Sequence, residues 1–323
     1  MILTAVGNYP KTPNRPRPQK LRQAIQKFQA GEISEVELRA IEDEVTVEVI
    51  HEQIEAGLDM VTDGHVRWED EITYFARGLD GFDITGLVRY FDTNIYYRQP
   101  VATRKVTWKK PVTVSDFQFA KEKSSKPVKP SLPGPLTLAA LSKWDGIYGN
   151  LEEATMAMAD VINQEAKALY DAGAQIIQFD EPYIVFEKDK IPLLQRAMKR
   201  VLLGLKADTG LGTFFGDTTG ITKQLVDIPT NALGLDFCTN PNNFGELKAL
   251  GSEKVLGAGI VEGRNTKMEK PDELRKILDR IAAVIPSDRL LVNPSCVLDF
   301  LPREVAYEKL RNMCAALKQP AVA

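Results

Sequence analysis

Two short strings carry residue types that could do chemistry: Gln178-Phe179-Asp180-Glu181-Pro182 and Asn293-Pro294-Ser295-Cys296. Each follows a short apolar run, Ala174-Gln175-Ile176-Ile177 in one case and Leu290-Leu291-Val292 in the other, and each precedes a helical pattern. Carboxylates, an amide and a thiol therefore stand where a buried strand gives way to a loop. Paired carboxylates in such a place bind an ammonium group or move protons, and a thiol there is a nucleophile or a metal ligand. In a parallel α/β barrel all such strand ends point to one face, where reactive groups collect. The plainer reading is that acids and prolines are common at strand ends and that a free cysteine is often a small buried hydrophobe.

The elements that must position these residues alternate. Met1 to Val6 reads as a first strand, followed by the loop Val6-Gly7-Asn8-Tyr9-Pro10 and an extended, basic stretch from Pro13 to Lys20. Ser34 and Glu37 form a capping box ahead of Leu38, Ile41, Val45 and Val49 at helical spacing. Leu58 to Thr62 is a short strand ending at Asp63-Gly64-His65. Residues 86–119 alternate Tyr, Thr, Val and Arg, which suggests an inserted β-hairpin, and Lys121 to Lys126 reads as an exposed turn. Further strands follow at Val128–Leu132, Ile176, Leu211–Phe215, Ala232–Phe237, Val255–Ile260 and Leu290–Val292, with helices between most of them. With the first strand this gives eight strand candidates. The simplest closure is a (β/α)8 TIM barrel over residues 1–323, with the hairpin as an insertion. A doubly wound sheet is the alternative, but no Gly-x-Gly-x-x-Gly turn follows the first strand.

Composition narrows the function classes. A formal charge of -3 gives no electrostatic case for nucleic acid, and no apolar run approaches the ~20 residues that span a bilayer. The first apolar run is too short for a signal-peptide core and lacks a basic leader. The three cysteines, Cys238, Cys296 and Cys314, are odd in number and widely spaced, which fits a reduced cytoplasm. Cys314 shares an apolar register with Leu310, Met313 and Leu317 and reads as core. Of the two histidines, His51 lies mid-helix and reads as surface or packing, which leaves His65 as the candidate.

Thr62-Asp63-Gly64-His65, Trp68-Glu69-Asp70, Tyr74-Phe75-Ala76 and Leu79-Asp80-Gly81-Phe82 resemble one sequence block of the cobalamin-independent methionine synthases. Leu132-Pro133-Gly134-Pro135-Leu136-Thr137, the string at 178–182 and Asn293-Pro294-Ser295-Cys296 resemble further blocks of its catalytic barrel, in the same order. The resemblance implies a methyl transfer to the thiol of homocysteine or a related small acceptor. It implies a donor that is either methyltetrahydrofolate or, as in short single-barrel relatives, methylcobalamin presented by a corrinoid protein. It also implies a zinc ion bound by His, Cys, Glu and Cys. The family's His-x-Cys falls here on Gly212-Thr213-Phe214, its Glu falls near Cys238, and only Cys296 is kept. Zinc would have to be rebuilt from Cys238, Cys296 and His65.

By the same resemblance Asp180 grips the substrate's amino group, and His65 stands where the family has a second carboxylate. Gly7 and Asn8 lie where the amino acid's carboxylate is held. Asp180, His65 and Glu181 are therefore the expected catalytic residues, and Gly7, Asn8, His65, Asp180 and Asn293 the expected substrate contacts. Two other functions stay open. One is a zinc-free barrel running lyase or decarboxylase-type acid–base chemistry through His65 and Asp180. The other is a non-catalytic homologue that binds a small molecule or a corrinoid protein.

Overall fold

The computed structural model describes residues 1–318. Its strands run β1 (Ile2–Leu3), β2 (Asp80–Arg89), β3 (Tyr96–Thr107), β4 (Ser131–Pro133), β5 (Ile176–Asp180), β6 (Asp208–Gly212), β7 (Ala232–Asp236), β8 (Val255–Val261) and β9 (Leu290–Pro294). Seven of them form one curled parallel sheet in the order β1-β9-β8-β7-β6-β5-β4. Between β1 and β4 the gap is spanned by single parallel bridges, Thr4 to Met60 and Val61 to Val128. Lys129 N–H to Val61 O at 2.9 Å and Met60 N–H to Leu3 O at 3.2 Å tie that stave on both sides. The fold is TIM-barrel-like, and the strand expected at Leu58–Thr62 is present as this bridging segment.

The barrel forms because each strand carries apolar residues at every second position toward the helices. Ile177, Phe179, Leu211, Leu233, Leu235, Leu256 and Val292 are all buried in one core. Helices follow local signals. Ser34 and Glu37 make the expected capping box of Glu35–Glu55. Asn150 caps Leu151–Asp171, which stops before Gly173 at φ +97°. Pro271 opens Pro271–Ala282.

The sequence reading is corrected in several places. The extended stretch gives way to a helix, Lys20–Gln29, whose Leu21, Ala24, Ile25 and Phe28 recur at helical spacing, a signal the sequence reading passed over. β6 ends before the expected Phe215, which instead takes a left-handed φ of +72°. The hairpin spans 80–107 rather than 86–119, and Val114–Lys123 is a helix that takes in half of the expected turn at 121–126.

One buried acid explains where the hairpin stops. Glu165 accepts from Trp108 Nε1 at 2.6 Å, from Val112 N at 2.9 Å and from both Thr113 N and Oγ1 at 2.7 Å. The chain leaving β3 is thereby pinned to a helix more than fifty residues away. Glu165→Ala strands several buried donors, each worth about 1–3 kcal/mol when unsatisfied. Urea unfolding should show a loss of roughly 3 kcal/mol or more, with Glu165→Gln intermediate. An unchanged midpoint would remove Glu165 from this role.

Candidate active site

The mouth of the barrel is built where the staves end. Thr62 is held from below by the buried amide of Gln53, which accepts from Thr62 N at 3.0 Å and donates to Thr62 O at 2.9 Å. Thr62 Oγ1 then donates to Gly7 O at 2.7 Å, joining the first two loops. Gly64 at φ +67° and His65 at φ +49° turn the chain sharply back. Gly7 has no room for a side chain, since a Cβ there would lie 2.8 Å from Ser131 Oγ.

His65 is buried and stacked on Trp68, with ring centroids 3.8 Å apart and planes 4° from parallel. Its Nδ1 meets Asn8 Oδ1, and its Nε2 lies 3.2 Å from Ser131 Oγ. Asn8 Nδ2 donates to Asp299 at 3.0 Å, so Asn8 Oδ1 is the acceptor and His65 Nδ1 carries the proton. Burial, helped by the Lys11 charge, brings His65 down to about 3. The imidazole is therefore neutral at ordinary pH, unlike the near-neutral titration its residue type suggests. Both nitrogens are engaged, and what the ring does here is orient Asn8.

Asp180 ends β5, buried, and accepts from Gln178 Nε2 at 2.7 Å. Burial pushes it up to about 7, against the Gln178 hydrogen bond and the charge of nearby Lys129. It faces Gly212 on β6, where a Cβ would lie 2.3 Å from Asp180 Oδ1. Gly212 offers no metal ligand, and the space beside it is taken by Asp180 Oδ1. Glu181 points the other way. Its carboxylate accepts from Leu136 N at 2.7 Å, Thr137 N at 3.0 Å and Thr137 Oγ1 at 2.7 Å, capping the helix Pro135–Ala140. Asn293 at the end of β9 turns its amide onto Pro294 O at 2.6 Å and lines the barrel interior.

The thiols are packed rather than poised. Cys296 sits in a small apolar cluster with Val6, Phe214 and Val297, and burial holds its thiol well above the usual range. Cys238 contacts Gly259 O at 3.6 Å, and burial together with Asp236 raises its thiol too. Among the described residues no three His, Cys, Asp or Glu side chains converge as metal ligands. With His65 spent on Asn8 and Ser131, and Gly212 and Phe214 offering no donor, the residues present do not fit the family's zinc.

Three site residues escaped the sequence reading: Glu71, Tyr90 and Asp299. Glu71 is buried, its Oε2 accepting from Tyr90 O–H at 2.7 Å while its Oε1 has no partner. Burial and the charges of Asp180 and Asp299 raise it well above the carboxylate range. Asp299 holds Asn8 through Oδ2, its Oδ1 is likewise unpartnered, and burial raises it as well. These acids border a small chamber with Asn8 and Tyr90. The chamber shares Ile95, Asp299 and Phe300 with an open cleft of about 550 Å3, which the hairpin tip and Arg264 complete. Converging acids with free oxygens suit an ammonium group, and an acid near pH 7 suits proton removal. The signal for Glu71 was present only as a third acid after Glu69 and Asp70.

The chain matches the model of the family described as the catalytic domain of cobalamin-independent synthase over residues 1–319. That description gives no support to a methylcobalamin donor or a corrinoid-protein partner. The chain is 32% identical over 319 residues to the methionine synthase of Saccharolobus solfataricus, covering 98% of this chain and 93% of that protein. It is 32% identical over 317 residues to the methionine synthase of Sulfurisphaera tokodaii, covering 98% and 91%. Among solved structures, the B12-independent methionine synthase of Shewanella sp. W3-18-1 with selenomethionine superposes with a TM-score of 0.84 at 23% identity, covering 97% and 95%. No helix among the described residues is long and apolar enough to cross a membrane.

The raised acid has a consequence for stability. Asp180 moves from 3.8 unfolded to about 7 folded, so the folded state holds its proton more tightly. The contribution is present below about pH 4 and is lost as pH rises through about 7. Asp180→Asn should therefore match the parent's thermal midpoint near pH 4 and exceed it by several degrees near pH 8. A constant difference across that range would show that Asp180 titrates normally.

Proposed function

The chain belongs to the family of cobalamin-independent synthase catalytic domains, and from that premise we propose that it methylates the thiol of homocysteine, with a methyltetrahydrofolate-type donor. The names of its 32%-identical relatives, matched along nearly their whole length, support the reaction class. The observation that carries the reading is the set of buried acids at the mouth, Glu71, Asp180 and Asp299, two of which keep an unpartnered oxygen.

The substrate's ammonium lies against Glu71 Oε1 and Asp299 Oδ1, offsetting the burial that favours the protonated form of these acids. The thiol, with an ordinary pKa near ~8.5, then faces Asp180 at about 7. Moving the proton from sulfur to Asp180 is uphill by roughly 2 kcal/mol, small enough for a general base. Sulfur forms the new S–CH3 bond as the donor's N–CH3 bond breaks. The donor nitrogen keeps the electron pair and takes up a proton, so thiol and donor become thioether and amine. Neutral His65 holds Asn8, and through it Asp299, in place.

Homocysteine methylation should proceed from methyltetrahydrofolate and not from methylcobalamin. Glu71→Gln should raise the KM for homocysteine about tenfold or more, the scale of one lost charge-assisted contact. Asp180→Asn should lower kcat by about 100-fold and abolish the rise of kcat/KM through pH 7. Turnover with methylcobalamin alone would overturn the donor assignment. Cleavage of a thioether without any methylation would favour acid–base lyase chemistry instead.

A further inference from the structure

Closed parallel barrels point bulky side chains toward their axis in layers and so fill it. In this barrel the axial positions of three adjacent strands are Gly210 and Gly212 on β6, Gly234 on β7, and Gly257 on β8. Their Cβ directions run into one another's backbone or into Asp180, except at Gly210, where a Cβ would meet only Ala232 Cβ, at 3.8 Å. Solvent access alternates accordingly. Ile176, Gln178, Gly210, Gly234, Leu291 and Asn293 are partly accessible, while their outward neighbours Ile177, Leu211, Leu233 and Val292 are buried beneath helices.

The glycines leave a cavity of about 290 Å3 along the axis. That is close to the ~300 Å3 at which ordinary ligand pockets begin, and about twice the ~150 Å3 apolar cavity that holds benzene. It opens at the starts of the strands, beside Ile2, Asp208 and Asp288, on the face opposite the mouth. Its outer walls are aliphatic: Ile2, Ile176, Val255 and Leu291. Further in stands Lys129, 4% exposed, whose hydrogen bond among the described residues goes to the amide oxygen of Gln178 and whose neighbouring charge is the buried Asp180 carboxyl on the same amide. An ammonium has three donors, and among the described residues the hydrogen bond to Gln178 uses one, which leaves donors for an anion on the cavity side. Asp208 and Asp288 at the opening are exposed, where water and salt screen them.

We propose that the barrel lumen is a second binding site, taking a small monocarboxylate with an unbranched apolar tail. Its carboxylate sits on Lys129 Nζ, and the tail runs along the glycine wall toward the strand N-terminal opening. The volume admits roughly ten water-sized groups at ~30 Å3 each, which sets the tail length. Branching collides with the backbone that the glycines expose. The site opens on the face opposite the mouth, although its Lys129 shares Gln178 with Asp180, and its test does not use activity.

Calorimetric titration of the whole chain with octanoate, 1-octanol and octylamine tests it, with Lys129→Met and Gly210→Leu beside the parent. The parent should bind octanoate at one site, with octanol at least tenfold weaker and octylamine not bound. Lys129→Met should weaken octanoate at least tenfold, to the level of octanol. Gly210→Leu fills the lumen with apolar atoms, so it should abolish binding while its thermal midpoint equals or exceeds the parent's. Absence of octanoate binding to the parent overturns the proposal. So does unchanged affinity in Lys129→Met, or in a folded Gly210→Leu. If Gly210→Leu does not fold, the Lys129→Met comparison decides alone.

Discussion

Asp180 and Gly212 face each other across two neighbouring strands, and the carboxylate takes the space that any side chain at 212 would need. That close approach shapes both ends of the barrel. Toward the mouth it leaves a buried acid against a strand end that offers no metal ligand. Toward the axis it belongs to a run of glycines that bares the wall of the lumen. Burial then does to the acid what burial does to any charge: it favours the protonated form until a partner arrives.

The other mouth acids obey the same constraint. Glu71 and Asp299 border one chamber, the charges of Asp180 and Asp299 add to burial in raising Glu71, and one oxygen on each of Glu71 and Asp299 lacks a donor. The hairpin matters because Tyr90 closes that space and supplies Glu71 with its one hydrogen bond. His65, which is neutral and stacked on Trp68, adds no charge. It fixes the orientation of Asn8, and Asn8 fixes Asp299. On the proposed reading, a site arranged this way activates a thiol by a matched base.

Much of the architecture was legible because it is locally encoded. Alternating apolar strands, the Ser34–Glu37 box and polar strand ends require only near neighbours, and the ordered sequence blocks pointed to the family. What stayed illegible depends on distant contacts. The end of the hairpin is set by Glu165, far along the chain. Glu71 looked like one more surface acid after Glu69 and Asp70 until the fold buried it. Glu181 shared a motif with Asp180 but turned outward to cap a helix, and Cys296 kept its motif while packing among apolar residues. The period-two glycines of β6 to β8 were visible, yet only closure of the barrel shows that they empty its axis.

The central claim is that the mouth acids share protons which a substrate ammonium displaces. Calorimetry of homocysteine binding at pH 7, repeated in buffers of different ionisation enthalpy, counts those protons directly. Release of roughly one proton per homocysteine bound, lost or strongly reduced in Glu71→Gln, is the expected result. Binding with no net proton release, and with the same count in Glu71→Gln, would mean that these acids are already ionised and do not receive the ammonium.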